Sequence, residues 1–429
     1  MKIGMQTWGS HGDIRPFIAL AERLQGAGHD VTLLITCVDS AAYDDLASTE
    51  GVKIKTFASP VITAGQATTV AATAYTTRDP MAQMAAILRL CFAPAEDAMF
   101  EAAQRLCVDA DLLIGHYFMH PLQIAAEKAG KPYVSVMLSH AAVPSDHTHP
   151  INVGMLGKTG NRLLWWLTKK LLNRTLNHYP NRLRAALGMP LTQDIVTQVW
   201  LSQHLTLLAI SPQICQRQPD WDDSVQVCGF LDMPNHAVEG AMPAALDAFL
   251  AAGAAPLYMT FGSWMPKDIE GQTAALTLLT QAARLAGCRA IIQSLSAQAC
   301  GFTSCERVLY VGAAPHHAIF PRCSAVLHHG GAGTTQAATL AGRPSIIVPH
   351  ISEQQHWGQE LRRLGIGARP VQRRSATPAS LARQIALVHS TPAMTVNAAS
   401  FGATMRLEDG VAAAVALIGA RFAATTATK

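Results

Sequence analysis

The chain has 429 residues, 49% hydrophobic and 14% charged, which excludes a disordered or fibrous chain and suits two domains of ordinary size. A net charge of +4 is too weak to argue for a nucleic-acid partner. Nine cysteines with no CxxC pair, no signal-peptide core and no bilayer-length apolar run make the expected location cytoplasmic.

Met1 to Thr7 predicts a strand, Gly9-Ser10-His11-Gly12-Asp13 a tight loop, and Arg15 to Gly26 a helix with Phe17, Ile18, Leu20, Ala21 and Leu24 inward. After the helix stop Gly26-Ala27-Gly28, Val31 to Thr36 is the next strand. Strands follow at Leu112–Ile114 and Tyr133–Met137, with a helix from Pro121 to Ala129 between them. Asp109-Ala110-Asp111 reads as a helix-to-strand turn, away from the glycine-rich segment described below, and no metal is expected there. Residues 158 to 184 carry seven Lys or Arg and no acid, interleaved with Leu163, Leu164, Trp165, Trp166, Leu167, Leu171 and Leu172. Two readings stand for this amphipathic helix: a cover helix with a solvated basic face, or a peripheral contact with the anionic inner face of a membrane.

Leu231 to Pro256, rich in Gly, Ala and Pro, reads as a linker. A second alternation follows: strand Leu257–Phe261, helix Gly271–Ala286, then strands Ala290–Gln293, Val308–Val311, Ala325–His328 and Ser345–Val348. The expected fold is α/β, two Rossmann-like doubly wound parallel-sheet domains facing a central cleft. The boundaries are 1–230, a linker at 231–255, 256–400, and a C-terminal helix at 401–429 returning to the first domain.

The strongest chemical signal is His328-His329-Gly330-Gly331-Ala332-Gly333-Thr334-Thr335, between a strand and a helix reaching about Leu340. Glycines at a helix start let an anion approach backbone N–H groups at the positive dipole end, and hydroxyls and an imidazole add donors. This segment, with Gly342-Arg343-Pro344, Pro349 and Glu353-Gln354, resembles the donor-binding signature of family 1 glycosyltransferases of the GT-B fold. Glu353-Gln354-Gln355-His356-Trp357-Gly358 is similar to the sterol glucosyltransferase version. Thr7-Trp8-Gly9-Ser10-His11-Gly12-Asp13-Ile14-Arg15-Pro16 resembles the opening loop of the sterol and glycopeptide-antibiotic enzymes. Pro256 to Ser263 and Glu408-Asp409-Gly410-Val411 resemble the family's first C-terminal strand and last helix.

The resemblance implies a metal-independent, inverting hexosyltransferase that moves a sugar, glucose by preference, from UDP or dTDP to a small hydrophobic acceptor such as a sterol, lipid or polyketide. No cofactor is implied beyond that co-substrate. His329, Gly330, Gly331, Gly333, Thr334, Thr335, Gly262 and Ser263 cradle the pyrophosphate, with Ser10 also on the donor side. Glu353 and Gln354 take the sugar hydroxyls. Ala337 replaces the family's ribose-binding Glu, with Gln336 beside it, and Gly312-Ala313-Ala314-Pro315-His316 reads the base through its backbone at Ala314. Asp13 is the implied base, His11 its alternative, and Asp13 also suits an N-cap. His116 and Trp357 are assigned to the acceptor. The rival from another class is a non-catalytic nucleotide-sugar-binding subunit that activates a partner.

Overall fold

The computed structural model describes residues 1–37, 43, 53–56, 69–70, 79–150, 156–232, 242–312 and 315–422. They form two compact units, the first holding the described residues of 1–62, 81–233 and 408–429, the second those of 63–80 and 234–407.

The first unit runs β1 (Lys2–Gly9), α1 (His11–Gly26), β2 (Asp30–Cys37), β3 (Lys53–Thr56), α2 (Pro80–Ile87), α3 (Glu96–Asp109), β4 (Leu112–His116), α4 (His120–Lys128) and β5 (Tyr133–Met137). It continues with α5 (Gly157–Leu176), α6 (His178–Ala186), β6 (Leu205–Leu208) and β7 (Val225–Val227). The seven strands are all parallel, in the order β3-β2-β1-β4-β5-β6-β7. β1 and β4 are buried along nearly their whole length, as central strands covered on both faces must be.

The second unit runs α7 (Ala244–Ala251), β8 (Leu257–Thr260), α8 (Ile269–Leu285), β9 (Ala290–Gln293), β10 (Val308–Val311), the short helix α9 (His316–Ile319) and β11 (Ala325–His328). After it come α10 (Ala332–Leu340), β12 (Ser345–Ile347), α11 (Ser352–Arg363), α12 (Pro378–His389) and α13 (Pro392–Met405). Its parallel sheet is ordered β10-β9-β8-β11-β12. Strand alternation sends Leu257, Met259, Phe261 and Leu327 to one core with Leu276, Leu279, Leu381 and Ile385. It sends Tyr258, Ile291 and Val326 to the other, with Leu246, Leu250, Phe320 and Ala338.

Four expectations change. The loop at 9–13 is largely the first turn of α1, because Ser10 caps the helix and lets it begin at His11. The 158–184 segment breaks at Asn177 into α5 and α6. Residues 244–251, assigned to the linker, form α7, whose Leu246 and Leu250 enter the second unit's core, and 233–241 lie outside the described residues. The C-terminal stretch divides: α13 stays in the second unit, while α14 (Gly410–Phe422) lies in the first, packed against α1 and tied by Arg23–Asp409 at 2.7 Å. Asp109 ends α3, and Asp111 Oδ2 accepts the Lys2 N–H at 2.9 Å, the helix-to-strand turn the sequence implies.

Candidate active site

Each sheet has one place where neighbouring strands feed helices in opposite directions: between β1 and β4 in the first, and between β8 and β11 in the second. The crevice outside the carboxyl ends of two such strands is where open α/β sheets bind ligands. The residues singled out from sequence fall at these two places.

In the first unit, Ser10 is the N-cap of α1, and Asp13 Oδ2 accepts both the Ser10 amide N–H (2.8 Å) and the Ser10 hydroxyl (3.0 Å). Thr7 Oγ1 donates to the Asp13 carbonyl at 2.9 Å, fastening the end of β1 to the turn. Gly9 has φ 137°, and a methyl there would run into the Asp13 carboxylate. Asp13 Oδ1 is left outside the cap and lies 3.8 Å from His116 Nε2, at the end of β4. His116 Nδ1 accepts the Phe118 N–H at 3.4 Å, which leaves the proton on Nε2, facing Asp13. Burial pushes His116 down to about 3, so the imidazole is neutral at ordinary pH. Burial raises the Asp13 pKa above the ordinary carboxylate value, against the lowering effect of the Ser10 hydrogen bonds, although the side chain keeps 34% of its surface open. His11, the first residue of α1, pairs through Nδ1 with the Tyr43 hydroxyl at 2.6 Å.

In the second unit, β8 runs into a turn of 3-10 helix, Gly262–Trp264, and β11 into the glycine loop that starts α10. Thr260 Oγ1 accepts the Gly262 N–H at 2.9 Å and donates to Gln293 Oε1 at 2.6 Å, which fixes the first turn. His328 Nδ1 accepts the Gly330 N–H at 3.1 Å, which fixes the second. The His329 ring lies between the two turns: an added Cβ at Gly262 would sit 2.8 Å from its Cε1, and one at Gly331 2.5 Å from its Nε2. Gly330 has φ 95°, and its Cα faces Ile347 and the Gln354 carbonyl, so glycine is required on both counts. The amides of Ala332, Gly333 and Thr334 open α10 and have no carbonyl to meet within it, since the ladder begins with Thr335 N–H to the Gly331 carbonyl at 2.9 Å. His329 Nδ1 is buried and takes no hydrogen bond, and burial lowers the ring to about 4. A neutral imidazole, open helix-start amides and three glycines make a cradle for an anion.

Two domain families match in tandem: the glycosyltransferase family 28 N-terminal domain over residues 3–135, and the erythromycin biosynthesis protein CIII-like C-terminal domain over 278–415. Glycosyltransferase GtfC of Amycolatopsis orientalis is 29% identical over 426 residues, covering 97% of each chain. Sterol 3-beta-glucosyltransferase UGT80A2 of Arabidopsis thaliana is 28% identical over 386 residues, 86% of this chain and 58% of the plant protein. The chain belongs to the GT-B glycosyltransferases. Among solved structures, the kitacinnamycin glycotransferase has a TM-score of 0.68 at 19% identity, covering 98% of both chains. VinC in complex with dTDP has 0.64 at 16%, covering 98% of this chain and 99% of its own.

Within this glycosyltransferase, Ser10, His11 and Asp13 stand together at the end of β1, and Gly262, Ser263, His329, Gly330, Gly331, Gly333 and Thr334 at the ends of β8 and β11. Ser263, Thr334 and Glu353 are half-buried, whereas Thr335 is wholly enclosed and its hydroxyl meets no partner. Glu353 and Gln354 lie in the first turn of α11; Gln354 is buried and its Oε1 accepts the His350 N–H at 2.7 Å. Ala314 lies outside the described residues. Two acceptor assignments are corrected. Trp357 is 0% exposed, one helical turn inward on α11, and has no surface to offer an acceptor. His116 is 2% exposed and stands behind Asp13.

Two residues escaped the sequence reading. His350, after β12, is buried against Phe261 (centroids 5.1 Å) and Trp264 (5.5 Å), and Tyr43 holds His11. The position of His350 just past a strand's carboxyl end was the available signal, while nothing in sequence marks a contact 32 residues away.

Proposed function

We propose that the protein transfers a hexose, glucose by preference, with inversion, from a UDP- or dTDP-sugar to a hydroxyl of a small hydrophobic acceptor such as a sterol, lipid or polyketide. The observation that carries this reading is the His329 imidazole, held between Gly262 and Gly331 with Nδ1 unpartnered on the Gly262 side and Nε2 turned to Gly331, where the open amides of α10 begin. Pyrophosphate is the anion that such a cradle suits, and VinC, a relative in fold, is named with dTDP bound. Glu353, with the Gln354 amide, binds sugar hydroxyls, and the named reaction of the plant relative supports glucose and a sterol-like acceptor.

Asp13 Oδ1 takes the proton of the acceptor hydroxyl as the acceptor oxygen forms its bond to the anomeric carbon and the bond from that carbon to the phosphate oxygen breaks. The Nε2–H of His116 is aimed at the same Oδ1 and steadies its charge. Negative charge arriving on the leaving diphosphate is met by the α10 amides and His329, so no divalent ion is needed. Turnover of UDP-glucose and dTDP-glucose in EDTA, against sterols, lipids and aromatic alcohols, tests the reading. Donor binding with no product from any acceptor overturns it in favour of a binding subunit.

A further inference from the structure

Helix α5 carries a face that the described residues leave uncovered. Asn161, Trp165, Leu172 and Leu176 point inward, with Trp165 Nε1 donating to the Thr148 carbonyl at 2.9 Å and Asn161 to the Asp146 carbonyl at 2.9 Å. On the opposite face Leu163 is 56% exposed, and Trp166, Leu167 and Leu171 are each 49% exposed. These spacings of three, four and eight residues put all four large apolar chains on one outward stripe. Lys170 and Arg174 share this face and Lys158 stands in the first turn of the helix; all three are exposed and form no ion pair among the described residues, while Lys169 turns inward to Asp194 at 2.6 Å. Lys170 Nζ lies over the Trp166 ring, 3.7 Å from its centroid, so the cation rests against one of the stripe's own apolar side chains. The helix contains no acid.

We propose that this outer face of α5 seats the protein on an anionic bilayer surface, the Leu and Trp side chains entering the acyl boundary and the cations meeting lipid phosphates. It is a surface contact, since no helix among the described residues is long and apolar enough to cross a membrane. The charge pattern favours a bilayer over a second copy of this chain: two such faces pressed together set Lys170 and Arg174 against their own kind, with no acid on the helix to answer them. The inference does not depend on the transfer reaction, and it concerns a helix outside the two sites described above.

Sedimentation of the full chain with vesicles of phosphatidylglycerol and phosphatidylcholine in equal parts, against phosphatidylcholine alone, tests the assignment. Two triple variants accompany it, Leu163→Gln/Trp166→Gln/Leu167→Gln and Lys158→Gln/Lys170→Gln/Arg174→Gln. Every substituted side chain is exposed, so both variants should keep the native circular dichroism spectrum and melting midpoint, and this is checked first. The expected result is binding to the anionic vesicles that weakens as salt rises and is lost in the apolar variant. Each removed cation costs roughly fivefold in partitioning. Absence of binding at low salt, equal binding to neutral vesicles, or binding that survives both variants overturns the proposal. So does a dimer in sedimentation velocity, abolished by the apolar variant, with no vesicle binding.

Discussion

At Asp13, one carboxylate oxygen takes the amide and hydroxyl of Ser10 while the other takes no hydrogen bond and faces the His116 Nε2–H. Asparagine keeps the capping oxygen but not the basicity, so Asp13→Asn should hold the melting temperature within a degree or two and lower kcat by roughly a hundredfold or more. An unchanged kcat would return Asp13 to a purely capping role. The base works only when ionised, and burial raises its pKa, so kcat/KM should fall on the acid side with a midpoint above the ordinary aspartate range. A pH profile flat down to that range contradicts this. Gly9→Ala adds a methyl at φ 137° against the same carboxylate and should cost about 1–3 kcal/mol in denaturant unfolding as well as activity. From sequence, Asp13 reads as an N-cap and as a base; the structure gives the N-cap to Ser10 and sets Asp13 three residues on, its carboxylate closing the turn on Ser10, and the base role rests on the two measurements above. The requirement for glycine at position 9 was not legible, because it depends on a torsion angle and on where the carboxylate turns.

For the start of α10, the glycine-rich run was read correctly as a strand-to-helix turn, since three glycines and two threonines between an apolar strand and a helical pattern have few other uses. What the sequence hid is that the His329 ring is gripped from both sides, by Gly331 on its own loop and Gly262 from the turn after β8. Gly331→Ala therefore pushes on His329 while leaving α10 intact, and calorimetry with UDP and dTDP should show diphosphate affinity falling about tenfold or more, as for His329→Ala. Affinity unchanged in both variants would remove the imidazole from the cradle. Elements were misjudged where composition masks periodicity. In the Ala-rich stretch before β8, Leu246 and Leu250 make α7 a core helix, and the short strands β6 and β7 give too few residues to show an alternation.

Across the whole molecule, two separately cored parallel sheets each place their site residues at the switch between central strands. That much followed from alternating strands and helices read in order, because parallel sheets put strand ends and helix starts on one edge. A cost goes with it. His116 in one unit and His329 in the other are held neutral by burial, at about 3 and about 4 against an ordinary 6.5. Below pH 6.5 the unfolded chain takes up protons that the native state refuses, so stability is lost as pH falls from 6.5 towards 4, by roughly 3 kcal/mol for His329 alone. Thermal midpoints at pH 7.5, 6.5, 5.5 and 4.5 should fall over the last two steps, and a level series contradicts the neutral, buried imidazoles. The most direct test of the central claim is product formation from UDP-glucose and dTDP-glucose by purified protein in EDTA, with Asp13→Asn and His329→Ala alongside. The account predicts a glycosylated hydrophobic alcohol, resistant to EDTA, with turnover lost in the first variant and donor binding weakened in the second. Turnover that needs a divalent ion, or that persists undiminished in both variants, would contradict it.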